Sequence, residues 1–219
     1  MTHTPTSPSH PSTDRSETMA FGSLSIRFDD RVLRPRPWTA DQSRWAAEVV
    51  ASAPDGPVLE LCCGAGQIGL LTIALAPRPL VCVDLNPAAC SLTRINADAA
   101  GLGELVEVRE GGIDEVLKPR EGFAVVVADP PWVRRAETDR FPEDPLLAID
   151  GGDDGLEVAW ACVAAASTHL LPGGTSILQL GTAEQAATLD AGLGRYGDLA
   201  LTEVRECERG VLVRLDQPS

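Results

Sequence analysis

The sequence predicts an α/β fold, a doubly wound and mostly parallel sheet with helices on both faces. Two observations predict it. Short, largely apolar runs at 58–61, 80–84 and 123–128 have the length of strands that are buried on both faces. Helical segments rich in alanine and leucine alternate with these runs, as in βαβ units. With 219 residues, the chain is long enough for one domain that buries roughly 70% of its unfolded surface.

The N-terminal part predicts a tail, a hairpin and a helix. Residues 1–18 are mostly serine, threonine and proline, which predicts a disordered tail. Residues 21–34 alternate apolar and polar side chains, which predicts a small β-hairpin over the ligand edge of the sheet. Thr39 and Gln42 have the spacing of a capping box, which predicts a helix from there to about Ser52.

A glycine-rich turn follows the first strand, in Val58-Leu-Glu-Leu-Cys-Cys-Gly-Ala-Gly-Gln-Ile-Gly-Leu70. Gly64 and Gly66 let a ligand approach the backbone closely, and the helix N-terminus that follows favours a negative group. With Gly69 they also spell GxGxxG, the dinucleotide fingerprint, which is a weak signal alone. Glu60, at the end of the strand, would repel a pyrophosphate but attract an ammonium group.

The second strand ends in Asp84, where a carboxylate can accept both hydroxyls of a ribose. A site for ammonium, carboxylate and ribose fits S-adenosylmethionine better than NAD. The Asn86-Pro87 pair then predicts the start of a helix that Gly101 ends.

A rigid polar tetrapeptide, Asp129-Pro130-Pro131-Trp132, follows the apolar run that ends at Ala128. Open α/β sheets bind ligands at such strand ends. One carboxylate and free backbone carbonyls can accept both N–H bonds of a flat NH2 group, and an aromatic ring can stack on it. A proline-rich loop with a helix-capping aspartate is the alternative interpretation of the tetrapeptide alone.

The remaining pattern predicts three more strands, two more helices and a long loop. The loop at 133–153 has the length of a substrate lid. The predicted elements are a strand at 105–109, a helix at 156–171 stopped by Pro172-Gly-Gly, a strand at 175–180, a helix capped by Thr182 and Gln185, and a last, antiparallel strand at 210–215.

These motifs resemble the class I S-adenosylmethionine-dependent methyltransferases, and among them the HemK type, the N5-glutamine methyltransferases that modify peptide release factors. Ala128-Asp-Pro-Pro-Trp132 stands where that family has Asn-Pro-Pro-Tyr. Three further segments are similar to family motifs in the same order: Val32-Leu-Arg-Pro-Arg-Pro-Trp-Thr39, Asp144-Pro145 with Gly151-Gly-Asp-Asp-Gly-Leu156, and Pro172-Gly-Gly174 with Gly181 and Gln185. The resemblance covers roughly residues 28 to 215.

The resemblance implies a methyltransferase with a seven-stranded, Rossmann-like sheet, in one domain at 19–219 with its catalytic core at 39–215. It implies that Asp129, Pro130 and Trp132 are catalytic and hold the acceptor nitrogen. It implies that S-adenosyl-L-methionine is bound by Glu60, Cys62, Gly64, Gly66, Asp84, Leu85, Gly112, Ile113 and Asp129. No metal site is expected, because the three histidines are scattered and the cysteines lack metal-ligand spacing.

Three departures from the family pattern bear on the acceptor and the cofactor. Asp129 replaces asparagine and Trp132 replaces tyrosine, and a carboxylate favours an amine-type nitrogen over the glutamine amide. Gly112 stands where the family often has an acidic residue for the adenine amino group, which leaves the backbone of Gly112 and Ile113 to contact the ring. We expect no counterpart here of the helical recognition domain that precedes the catalytic domain in the bacterial family.

The composition limits the partners. The net charge is −14, from 18 basic and 32 acidic residues, which disfavours nucleic acid as a partner. Two local arginine clusters, taken as solvated loop charge, are the exception: Arg27, Arg31, Arg34 and Arg36, then Arg134, Arg135 and Arg140. We expect a cytoplasmic monomer with six reduced cysteines and no membrane segment, acting on a protein or a small molecule.

Three alternatives to a protein N-methyltransferase stay open at this stage. Asp-Pro-Pro followed by an aromatic residue also resembles the motif of nucleic-acid enzymes that methylate adenine or guanine amino groups. A small-molecule N-methyltransferase is compatible with the lack of a recognition domain. A non-catalytic scaffold would not need Glu60, Asp84 and Asp129 together with the glycine turn.

Overall fold

The computed structural model describes residues 16–219, and this part of the chain opens with a hairpin of β1 (Glu17–Phe21) and β2 (Leu24–Phe28). The hairpin lies earlier than the predicted 21–34. Its turn is at Gly22, whose φ of 58° suits a two-residue loop, because Phe21 pairs with Leu24. Two residues of the predicted tail, 17 and 18, therefore lie in a strand, and residues 1–15 lie outside the described part.

The other seven strands form one sheet in the order β5-β4-β3-β6-β7-β9-β8. Neighbouring strands from β5 to β7 are parallel, and β9 is antiparallel to both β7 and β8. The doubly wound, mostly parallel, seven-stranded fold predicted from the sequence is confirmed. The strands are β3 (Val58–Leu61), β4 (Leu80–Asp84), β5 (Val106–Glu110), β6 (Phe123–Ala128), β7 (Leu170–Leu180), β8 (Ala200–Glu206) and β9 (Val211–Asp216).

Seven α-helices lie in the described part of the chain, and five of them cover the two faces of this sheet. Side chains of α1 to α3 and of the hairpin pack in one hydrophobic layer, and those of α6 and α7 pack in the other. The helices are α1 (Ala40–Val50), α2 (Gln67–Leu75), α3 (Pro87–Ala99), α4 (Ile113–Val116), α5 (Leu146–Ile149), α6 (Glu157–His169) and α7 (Ala183–Gly192). None of the helices that the structure describes is long and apolar enough to cross a membrane.

The helix starting near Thr39 forms without the predicted capping box. A 3-10 turn, Pro37–Thr39, precedes α1, and the Thr39 hydroxyl donates to the Arg36 carbonyl instead of capping the helix. The Gln42 amide is fully buried and donates to the carbonyls of Ala128 and Ile177. Gln42 therefore joins α1 to the ends of β6 and β7.

Two further predictions differ from the structure, and one strand was not located from the sequence. The helix predicted at 156–171 ends at His169, and Pro172-Gly-Gly lies inside β7, where the sheet register shifts and Gly173 has a φ of 75°. Glycine and proline mark a bulge here, not the helix end. The loop at 133–153 contains a 3-10 helix (Arg135–Arg140) and α5. The edge strand β8 had no clear sequence signal, because most of its residues are exposed.

Candidate active site

A cavity of about 680 Å³ lies where strands β3 to β6 end at their C-terminal edge. Residues that follow each of the four strands line it, which is the arrangement expected of an open α/β sheet. Seven of the predicted site residues line this cavity: Cys62, Gly64, Asp84, Leu85, Gly112, Ile113 and Asp129. Four others do not: Glu60, Gly66, Pro130 and Trp132.

Three residues in the turn after β3 adopt the left-handed backbone conformation, with positive φ. Gly64 has a φ of 55°, and a Cβ added there would meet only Gln67 Oε1, at 4.0 Å, so a ligand can lie against this backbone. Gly66 has a φ of 79° and packs against Thr93, which would obstruct any Cβ. Cys62 adopts a φ of 57°, a conformation that costs an L residue roughly 1–2 kcal/mol. Gly66 therefore shapes the turn, whereas Gly64 leaves space for a ligand.

Asp84 holds this turn in place. Its Oδ2 accepts the backbone N–H of Gly64 at 2.8 Å, and its Oδ1 accepts the backbone N–H of Asn86 at 2.8 Å. Burial raises the pKa of the Asp84 carboxyl above its ordinary value. A carboxylate has about four lone-pair sites, so these backbone hydrogen bonds leave some acceptor capacity on Asp84, which lines the cavity.

Glu60 lies beneath the cavity and not in it. It is 2% exposed, its Oε1 accepts the backbone N–H of Gly69 at 2.9 Å, and its Oε2 accepts the Cys82 thiol at 3.3 Å. Burial raises the pKa of Glu60 to about 7. This placement departs from the expected direct contact with an ammonium group. Gly69 serves packing, because any side chain there would collide with the Glu60 carboxylate.

Gln67 is a cavity residue that the sequence did not single out. It is the first residue of α2, and its Oε1 is buried without any hydrogen-bond partner in the described structure. An unsatisfied buried acceptor costs about 1–3 kcal/mol, which a donor on a bound ligand would recover. The position of Gln67 directly after the glycine turn could have identified it as a cavity residue from the sequence.

Asp129 follows β6, lines the cavity and accepts no hydrogen bond from any residue that the structure describes. Its burial raises the pKa of the carboxyl to about 7. An unpartnered acceptor at the wall of a cavity is available to a ligand. The proline that follows the predicted Pro130, Pro131, also lines the cavity.

Trp132 packs away from the cavity. Its indole ring lies against Gly181, where any Cβ would collide with it. Its carbonyl accepts the side-chain amide of Gln185 at 3.0 Å, and Gln185 Oε1 accepts the Gly181 N–H at 2.9 Å. The Thr182 hydroxyl caps α7 by accepting the Gln185 N–H, as predicted. Trp132 therefore fixes the backbone after Pro131, which departs from the expected stacking on a substrate.

The far side of the cavity suits a flat ring. Leu85 lines it and is 60% exposed, and Ile113 faces the same space. Gly112 caps α4, and its backbone N–H donates to the Glu115 carboxylate at 3.2 Å. That N–H is engaged within the protein, so the apolar surfaces of Leu85 and Ile113 remain for an aromatic ligand.

The arginine clusters near the cavity are paired with protein groups. Within the described residues, Arg27 donates to the Ser16 hydroxyl at 2.7 Å. The ion pairs are Arg31 with Asp29, Arg34 with Glu17, Arg36 with Asp144, Arg134 with Glu184, Arg135 with Asp150, Asp153 and Glu157, and Arg140 with Glu137. Much of the local positive charge is therefore balanced by neighbouring acids.

The cavity residues fit S-adenosylmethionine. The glycine turn has room for a ligand at Gly64, Gln67 offers an unsatisfied acceptor for an ammonium group, and Asp84 keeps acceptor capacity for ribose hydroxyls. Leu85 and Ile113 offer apolar surface for adenine. The described residues contain no group of three metal-ligating side chains.

The sequence is similar to those of several known proteins. Residues 41–196 match the family described as "Methyltransferase small domain". A release factor glutamine methyltransferase of Deinococcus radiodurans is 35% identical over 182 residues, covering 81% of this chain and 64% of that protein. One from Synechocystis sp. is 31% identical over 204 residues, covering 86% and 68%. A ribosomal protein uL3 glutamine methyltransferase of Burkholderia pseudomallei is 27% identical, covering 76% and 58%.

The chain spans less than two thirds of several of these relatives, for example 62% of a release factor glutamine methyltransferase from Clostridium acetobutylicum. Solved structures share the fold. The ribosomal protein L11 methylase of Lactobacillus delbrueckii superposes with a TM-score of 0.64 at 12% identity, covering 86% of this chain and 82% of that one. The family match covers most of the chain, and the sheet order and ligand edge agree with it. The chain therefore belongs to the methyltransferase small domain family, as a HemK-like class I methyltransferase.

Proposed function

We propose that this protein transfers a methyl group from S-adenosylmethionine to a side-chain nitrogen of a protein, a glutamine or a similar planar nitrogen. The unpartnered Asp129 carboxyl at the wall of the cavity is the main support for this proposal. The relatives named as glutamine methyltransferases of a release factor and of a ribosomal protein support a translation protein as the acceptor.

Four residues would hold the cofactor. Asp84 would accept the ribose hydroxyls, and Leu85 and Ile113 would enclose the adenine. Gln67 Oε1 would accept the ammonium group, because Glu60 is engaged beneath the cavity. When bound, S-adenosylmethionine supplies an electrophilic methyl group on a positively charged sulfur.

The acceptor nitrogen would be held by Asp129, whose carboxyl accepts N–H hydrogen bonds from it. The Pro130 carbonyl, expected as a second acceptor, belongs to a residue that does not line the cavity. A hydrogen bond to Asp129 aims the nitrogen lone pair at the methyl group, and positioning supplies most of the rate of an in-line displacement. A carboxylate also stabilises the positive charge that develops on the attacking nitrogen. Trp132 contributes indirectly, by fixing this backbone against Gly181.

The aspartate is compatible with a glutamine acceptor. In its carboxylic acid form it offers one acceptor and one donor, as the asparagine amide of the family does. In its carboxylate form it offers acceptors alone, which favours an amine. Because the pKa of Asp129 is about 7, both forms are populated near neutral pH. The protonation form that binds the acceptor would decide whether the enzyme methylates an amide or an amine.

The paired arginines give no support to a nucleic-acid acceptor, since phosphate binding depends on available positive charge. We also propose a reducing compartment such as the cytoplasm, because all six cysteines are free and four of them are buried. That the protein acts as a monomer stays a prediction.

The test is incubation of the purified protein with methyl-labelled S-adenosylmethionine and purified peptide release factor, followed by peptide mapping. The expected result is label on one glutamine-containing peptide, absent with the Asp129→Ala variant. A parallel reaction with cell extract is digested by protease and by nuclease. Label released by nuclease alone would contradict the proposal.

A further inference from the structure

A partly buried ion pair connects two segments of the cavity wall that lie far apart in the chain. Arg36 Nη2 donates to both carboxylate oxygens of Asp144, at 2.8 and 2.7 Å. The Asp144 side chain is only 8% exposed and the Arg36 side chain 30%. Charge-assisted hydrogen bonds of this kind are among the stronger polar contacts, and burial protects them from screening by salt.

Each partner belongs to a segment that lines the cavity. Val32 and Leu33 line it shortly before Arg36, and Pro145 lines it directly after Asp144. The ion pair therefore fixes the distance between these two segments of the cavity wall. The cavity opens to solvent on this side, because the wall residue Leu147 is 57% exposed.

The segment after Asp144 is tied at its other end as well. The Val133 N–H donates to the Ile149 carbonyl at 3.0 Å, and the Gly151 N–H donates to the Val133 carbonyl at 2.8 Å. Val133 follows the Asp129–Trp132 tetrapeptide directly. The segment at 145–148, a turn that includes most of the short helix α5, is thus held at one end by Arg36 and at the other by the strand end that carries Asp129.

We propose that Arg36 and Asp144 are positioning residues: their ion pair fixes the turn at 145–148 as the wall that seats the methyl acceptor beside Asp129. This inference rests on the proposed function for its catalytic consequence, but the tethering of the turn is a property of the protein alone. Leu147 and Ala148 form the face of this wall in the cavity.

The chain offers a matched control two residues away. Arg34 pairs with Glu17 at 2.8 Å, but both side chains are more than half exposed and the partner lies in the hairpin. Arg36→Met and Arg34→Met remove the same charge from the same loop. Only Arg36→Met should release the turn.

The first readout is amide hydrogen exchange of residues 141–150 in the full chain without ligands. Arg36→Met should raise exchange there by about tenfold, Arg34→Met should leave it unchanged, and the exchanged pair Arg36→Asp/Asp144→Arg should restore part of the protection. Equal exchange in the wild type and Arg36→Met would overturn the tethering, whatever the enzyme methylates.

The second readout separates the acceptor from the cofactor. With peptide release factor as the probe, Arg36→Met should raise the acceptor KM about tenfold, while the Kd for S-adenosylhomocysteine changes less than about threefold. Raised exchange with an unchanged KM would overturn the acceptor role. If wild-type protein does not methylate release factor, the proposed acceptor fails, and the exchange experiment still decides the tethering.

Discussion

The Glu60 carboxylate accepts a hydrogen bond from the backbone N–H of Gly69, 2.9 Å away, beneath the cavity. The contact joins the centre of β3 to the first turn of α2, and any side chain at position 69 would collide with the carboxylate. The third glycine of GxGxxG and the acidic residue of the first strand therefore act together as a packing unit. Glu60 and Gly69 would affect a bound ligand indirectly, through the conformation of the glycine turn between them.

Glu60 should make the stability of the protein depend on pH. Its pKa is about 7 in the folded protein, because of burial, against an ordinary value of 4.5. The carboxylic acid form is favoured on folding, so its stabilisation is full below the unfolded pKa and is lost as the pH rises through about 7. The loss corresponds to about 3 kcal/mol. Chemical denaturation of wild type and Glu60→Gln at pH 5 and pH 8 measures it.

The variant should gain stability relative to wild type as the pH rises, because glutamine has no proton to lose. Asp84 and Asp129 titrate in both proteins and repel the Glu60 carboxylate, so the difference reports Glu60 together with its coupling to these two groups. A difference in unfolding free energy that is the same at both pH values would show that Glu60 has an ordinary pKa.

Gln67 should contribute to cofactor affinity through its unpartnered Oε1. Gln67→Met keeps the size of the side chain and removes the acceptor, so the Kd for S-adenosylhomocysteine should rise about tenfold by isothermal titration. Gln67→Glu keeps an acceptor and should lose less affinity. Equal affinity of the methionine variant and wild type would exclude a hydrogen bond from the ligand.

The contact between Trp132 and Gly181 should be sensitive to one methyl group. Gly181→Ala places a Cβ against the indole ring and should cost about 1–3 kcal/mol of unfolding free energy while lowering turnover. Gly194→Ala is the control, because a Cβ there meets nothing within 4 Å. Similar stability of both variants would mean that the indole moves aside freely.

Local signals sufficed for the strands that border the cavity, although not for the edge strand β8. The run at Phe123–Ala128 is fully buried, and the glycine turn after β3 and Asp84 at the end of β4 mark strand ends in the sequence itself. Parallel topology then brings these ends to one edge. For that reason seven of the predicted site residues line the cavity.

Side-chain direction could not be predicted where a strand is buried on both faces. All four residues of β3 are buried, so no alternation in the sequence shows which way Glu60 points. The direction of Trp132 depends on Gly181, which is distant in the chain. The role of Pro172-Gly-Gly was also ambiguous in the sequence. Proline and glycine occur at a bulge within a strand, as in β7, as readily as after the end of a helix.

The most direct test compares Asp129→Ala with Asp84→Ala in two measurements, S-adenosylhomocysteine affinity and methyl transfer to release factor. Asp129→Ala should lower turnover by at least about a hundredfold with nearly unchanged affinity, because this carboxyl contacts the acceptor. Asp84→Ala should lose cofactor affinity by about tenfold or more, because its carboxylate would hold the ribose and supports the Gly64 turn. Full turnover by Asp129→Ala would show that Asp129 does not hold the nitrogen that receives the methyl group.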